Sequence, residues 1–320
     1  MIWTEVFIAD DRLRPIWRFV LSLVLVFAAV VISGEFVGLF FVIARIQPTM
    51  WMAALGQSTV TLGALIASYK LLTAVFERRP LGSVGWAFHS RWWRELLCGL
   101  LVGAAMLGVA VGLEWACGLA RFTFSPHPVL GAGGVTFLLF GVAAANEESI
   151  FRGYPFQRLI ESITPVGAIA LSSLLFGIVH LGNPHRTWIS TLNTALVGVP
   201  FAIAYLRTRA LWMPIGMHFI WNFLLGFFLG LPVSGLDLPG SVLTAQVRGP
   251  AWLTGGSYGP EGGLLAMAAI LACIVYLLLS KSIYTTEDMK ALVLAPVDAR
   301  WPEPPLTIFS APPDGGTQNG

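Results

Sequence analysis

"WRFVLSLVLVFAAVVISGEFVGLFFVIA", residues 17–44, carries only Arg18 and Glu35 as charges in a run long enough to cross a bilayer. A spanning helix needs roughly 20 mostly apolar residues. The run is too long for the apolar core of a signal peptide and shows no A-x-A cleavage site, so it is read as a membrane helix. Seven further segments repeat the pattern, near 50–75, 94–119, 132–150, 164–182, 188–206, 211–230 and 262–280. The expectation is an all-α fold, a polytopic membrane helix bundle with about eight transmembrane helices. Small residues recur within the segments, as in "GLLVGAAMLGVAVG" (99–112), and would let helices approach closely.

Composition agrees. Of 320 residues, 56% are apolar and 11% charged, against about a quarter charged in soluble domains. A net charge of +2 without clustering leaves no footprint for nucleic acid. Cys98, Cys117 and Cys273 lie in apolar runs and make no disulfide framework. The partners expected are the lipid bilayer and whatever membrane-associated molecule the bundle handles; the oligomeric state is left open.

The chain divides into an N-terminal transmembrane pair (1–75), a core (76–230), a Gly/Pro-rich outer loop with little to fold on (231–261), a last transmembrane helix (262–282) and a disordered tail (283–320). The mixed Arg/Trp segment "ERRPLGSVGWAFHSRWWREL" reads as an anchor along the inner interface. Arg12, Arg14, Arg18, Arg78, Arg79, Arg91, Arg94, Arg158, Arg207, Arg209, Lys281 and Lys290 fall on one side, against Arg45, Arg121, Arg186 and Arg248 on the other. The positive-inside rule then puts both termini in the cytoplasm.

Ionisable groups inside spans are costly and are functional hypotheses by default. Glu147, Glu148 and Arg152 lie on the fourth helix, His180 ends the fifth, and His218 and Asn222 lie on the seventh. Residues four apart share a helix face, so Glu148 can pair with Arg152, leaving Glu147 turned about 100° away. His218 and Asn222 share a face, and Phe176 can buttress His180. A carboxylate able to deprotonate water, a histidine beside it, and a second histidine with an amide for an oxyanion suit hydrolysis. Each residue also has a bland reading: an interfacial ion pair, or histidines and an asparagine acting as interhelical glue. Glu35 and Glu114 read as structural or cavity-lining, Lys70 as snorkelling, and His127 and His185 as surface residues. Simple helix boundaries place His180 further toward the outer side than Glu147 and His218.

"EESIFR" (147–152), "FGIVH" (176–180) and "HFIWN" (218–222) resemble the EExxxR, FxxxH and HxxxN motifs of the CPBP intramembrane proteases, which include the type II CAAX prenyl endopeptidases and the bacteriocin-processing or self-immunity proteins. "HLGNP" and "RRPLGSVGW" are similar to bacterial members, so the resemblance covers about residues 75–230. It implies an endopeptidase acting on a membrane-associated polypeptide. Glu147 would activate water with His180, and His218 and Asn222 would form the oxyanion site. Glu148, Arg152 and Phe176 would support them. No cofactor is favoured: HExxH is absent, and Asn222 is a poor zinc ligand. Zinc, if present, would sit on Glu147, His180 and His218. The alternatives are a non-catalytic membrane scaffold or immunity-type protein, and a proton- or ion-coupled transporter; the latter would want paired repeats, and none is apparent.

Overall fold

In the computed structural model, residues 6–9, 12–126, 130–238 and 240–294 are described. All eight expected segments are helical. Helix α1 spans Pro15–Ala44, and α2 spans Met50–Leu72 with a π-turn through Glu77. Next come α3 (Trp92–Ala116), α4 (Leu130–Arg152) and the short α5 (Tyr154–Ser162). Helix α6 (Pro165–Val179) ends in a 3-10 turn, His180–Gly182. Helix α7 spans Trp188–Thr208, and α8 spans Trp212–Phe223 with a π-turn to Phe228. Helices α9 (Leu264–Leu279) and α10 (Glu287–Leu294) follow. The α1, α2, α3, α6 and α7 segments are long and apolar enough to cross a membrane, and α8 and α9 are shorter apolar helices. The protein is an integral membrane helix bundle.

The outside of the bundle is more apolar than parts of its inside. On α1 the buried stripe is Arg18, Ser22, Val26, Ala29, Ser33 and Val37, whereas Phe27 and Ile43 are 72% and 73% exposed. Lipid, not water, explains that inversion. At the end of the bundle where α1 begins, Glu77 accepts from Arg18 at 2.6 Å and from Tyr154 at 2.8 Å, and pairs with Arg158 at 2.6 Å. This network ties the N-terminal pair to α5, so helices α1 and α2 are packed onto the core.

Helices α3 and α8 meet through Gly99 and Gly103, where a Cβ would run into the Met213 and Met217 carbonyls. Gly108 and Gly112, in the same stretch, face open space. Gly103→Val is therefore expected to destabilise the bundle by about 1–3 kcal/mol or to prevent folding, while Gly108→Val is tolerated. Thermal unfolding of the two variants in detergent checks this, and equal stabilities would contradict it.

Two expectations need correcting. Segment 231–261 does fold. Strand β2 (Leu243–Val247) pairs antiparallel with β1 (Ala120–Phe124), Ala120 opposite Val247, and Tyr258 is buried. A Gly/Pro-rich loop can still be held by a backbone ladder and by side chains such as Leu231 and Val233 buried in the core. The start of the tail is also ordered. Ile283, Thr286 and Met289 are buried, Ser90 N donates to Asp288 Oδ2 at 2.7 Å, and Arg79 Nη1 donates to the Val293 carbonyl at 2.8 Å. The proline-rich composition of 295–320, which lies outside the described residues, masked the short amphipathic run before it. Arg207 reinforces this corner by donating to the carbonyls of Leu277, Leu278, Ser280 and Ile283, covering the acceptors left open where α9 ends.

Candidate active site

Three helices converge on one cavity of about 320 Å³, lined among others by Glu147, Phe176, His180, His218 and Asn222. The expected difference in depth between His180 and the other groups does not arise. The fourth span does not end at residue 150; α4 runs to Arg152, and α5 carries the chain further before it turns at Thr164. The chain bends at Gly153, runs on through α5, and returns over roughly 22 Å from Pro165 to His180. Helix α8, meanwhile, begins inside the bundle: Ala210, Leu211 and Met213 are almost fully buried, Leu211 N donates to the Gly85 carbonyl, and Trp212 Nε1 donates to the Ala87 carbonyl at 2.7 Å. His218 thereby sits level with the others.

Glu147 Oε2 lies 3.8 Å from His180 Nε2 and 3.8 Å from His218 Nε2. Both gaps exceed a direct hydrogen bond. The far nitrogens define the tautomers. His180 Nδ1 is 2.7 Å from the Phe176 carbonyl, which can only accept, so Nδ1 carries the proton and donates. His218 Nδ1 is 2.9 Å from Glu148 Oε1 and donates to that carboxylate. Both Nε2 atoms are thus directed at Glu147. Phe176 packs against His180 with ring centroids 4.6 Å apart and the planes tilted by 42°, and Phe201 lies nearly parallel to His218 at 5.2 Å.

The two adjacent glutamates occupy different environments. Glu147 has 32% of its side chain exposed and forms cavity wall, whereas Glu148 is fully buried. Arg152 donates to Glu148 at 3.3 Å and to the Gly198 carbonyl at 2.9 Å, with Phe151, Phe176 and Phe201 around its guanidinium. Gly198 is required there, because a Cβ would collide with Ser173 of α6. Asn222, one turn beyond His218, completes the wall.

The remaining polar residues fall elsewhere. Glu35, Lys70 and His185 are exposed, and His127 lies outside the described residues. Glu114 is fully buried on α3, and neither of its carboxylate oxygens has a hydrogen-bond partner among the described residues. It is not part of the cavity wall. Cys98, Cys117 and Cys273 are free, and only Cys273 is buried. Polar groups that sequence reasoning passed over also line the cavity, among them Asn183, Asn193 on α7, and Glu261 just before α9. Glu261 had a signal, being one of two acids, with Asp237, in the 231–261 loop, but it was screened out with that loop.

Glu147, His180 and His218 are of zinc-binding type, yet among the described residues no three His, Cys, Asp or Glu side chains are arranged as a metal site.

Comparison with known proteins narrows the class of this membrane helix bundle. Residues 130–224 match the family of type II CAAX prenyl endopeptidases described as Rce1-like. The match takes in Glu147, Glu148, Arg152, Phe176, His180, His218 and Asn222, so the resemblance read from the three motifs holds over that segment. Among curated proteins, "Putative membrane peptidase YdiL" of Bacillus subtilis (strain 168) is 30% identical over 131 residues, 39% of this chain and 52% of that protein. The chain thus spans about half the length of this relative. No solved structure matches the chain.

Proposed function

We propose that the protein is an intramembrane endopeptidase that hydrolyses a peptide bond of a membrane-associated polypeptide. One observation carries the reading: Glu147 Oε2 and the Nε2 atoms of His180 and His218 converge at 3.8 Å within a cavity inside a membrane bundle. The family match over residues 130–224 and the similarity to a relative named a membrane peptidase support it.

In this reading Glu147 takes a proton from water as the water oxygen attacks the scissile carbonyl, and later passes that proton to the departing amine. His180, with Nδ1–H spent on the Phe176 carbonyl, accepts through Nε2 and orients the water. His218 and Asn222 hydrogen-bond the oxygen that becomes negative. For His218 to donate through Nε2 it must carry both protons, with Nδ1–H held on Glu148. The protein would reside in a bacterial inner membrane with both termini cytoplasmic, consistent with the arginine-rich end of the bundle.

Purified protein in lipid should cleave membrane-bound peptides, and His180→Ala should lower the rate by about 10²-fold or more. A strong chelator is expected to leave cleavage intact. Undiminished cleavage by His180→Ala would remove the proposed site. Full inhibition by the chelator, restored by zinc, would instead assign a metal to Glu147, His180 and His218.

A further inference from the structure

The cavity holds a second set of polar groups that hydrolysis does not use. Asn193 is only 2% exposed and lines the cavity. Its Nδ2 donates to the carbonyls of Glu261 and Gly263, each at 2.8 Å. Flipping the amide would set oxygen against two carbonyl oxygens, so its orientation is fixed. That orientation leaves Oδ1 buried without a hydrogen-bond partner among the described residues.

Glu261 contributes a carboxylate to the same cavity. Its Oε1 accepts from Trp221 Nε1 at 2.8 Å, and its Oε2 accepts from the Ser234 backbone N–H at 2.5 Å and from Ser234 Oγ at 2.9 Å. A carboxylate has about four acceptor positions, so one remains open, on Oε1. Two neighbouring hydroxyls are already spent, Ser234 Oγ on Glu261 itself and Thr194 Oγ1 on the Ser190 carbonyl at 2.8 Å. No lysine or arginine pairs with Glu261 among the described residues. Burial pushes its carboxyl up from the ordinary range, against the pull of the Trp221 and Ser234 donors. The charge of His218 acts on Glu261 without a hydrogen bond between them among the described residues, so this buried carboxylate, lining the same cavity as an unsatisfied amide oxygen, still has a place for a cationic donor.

We propose that Asn193 Oδ1 and Glu261 form a subsite for a protonated amine of the polypeptide substrate, either a lysine side chain or a free α-amino terminus. This subsite deepens the peptidase reading and rests on it. Asn193 lies within the family-matched segment, residues 130–224, and Glu261 lies beyond it, in the loop before α9.

Binding can be measured without turnover, using Glu147→Gln protein in lipid nanodiscs and a fluorescent peptide with one lysine and a free amino terminus. Its Nα-acetylated and Nε-acetylated forms are compared with it. One acetylation is expected to weaken binding about tenfold, equivalent to about 1.4 kcal/mol, and which one does so identifies the amine. The Glu261→Gln substitution, added to the same protein, should abolish the difference. Equal binding of all three peptides would overturn the subsite, as would discrimination that survives Glu261→Gln. Acetylation alters only the ligand, so the comparison holds even if the added variant folds poorly. Because no bond need break, failure of cleavage in the separate assay would count against hydrolysis and not against the amine site.

Discussion

Glu147→Gln is expected to lower kcat for peptide cleavage by about 10²–10⁴-fold, the range for losing a positioned general base, with KM nearly unchanged. Glutamine keeps the shape and the cavity wall but has no basic oxygen to take a proton from water. The neighbouring carboxylate cannot substitute. Glu148 is fully buried, bonded at 2.9 Å to His218 Nδ1 and at 3.3 Å to Arg152, so it is directed away from the cavity. Steady-state kinetics with a peptide cut by the unaltered protein decides the matter. Activity within about threefold of wild type would remove Glu147 from the chemistry, since a general base contributes far more than that. A drop carried entirely by KM would recast it as a binding residue.

The spans and the motif residues were legible because their signals are local. Apolar runs set the helices, and four-residue spacing set the Glu148–Arg152 and His218–Asn222 faces. Depth was not legible. It depended on the bend at Gly153 that leads α4 into α5 and on α8 starting against residues 85–87, and both are tertiary placements that hydropathy does not encode. Glu261 was missed for a related reason. A Gly/Pro-rich segment looks empty when read for periodicity, yet it can return to the core through bonds such as those from Trp221 and Ser234 to that carboxylate. Glu114 illustrates the opposite failing: its place inside a span drew attention by the same rule as Glu147, but it shares no cavity with the other groups.

Arg152→Met is expected to be the most destabilising single change at the site, by about 3–5 kcal/mol, the cost of leaving a buried charge uncompensated. Losing the 2.9 Å bond to the Gly198 carbonyl accounts for only about 1 kcal/mol of that. The larger share comes from Glu148, which is wholly inaccessible to water and would keep only His218 as a polar partner. The double variant Glu148→Gln/Arg152→Met should therefore be more stable than Arg152→Met alone, because removing both charges also removes the desolvation cost. Arg152→Lys should recover little: a lysine ammonium cannot reach both Glu148 and the Gly198 carbonyl with the planar fork that stacks among Phe151, Phe176 and Phe201. Thermal unfolding in one detergent of the unaltered protein, Arg152→Met, Glu148→Gln and the double variant gives the coupling energy directly. A double variant no more stable than Arg152→Met would show that Arg152 acts through its aromatic and carbonyl contacts, and that the Glu148 charge needs no counter-ion. If the coupling is present, the pair has a consequence for chemistry as well. Arg152 holds Glu148, Glu148 holds His218 Nδ1, and only with Nδ1 held is His218 Nε2 aimed at Glu147.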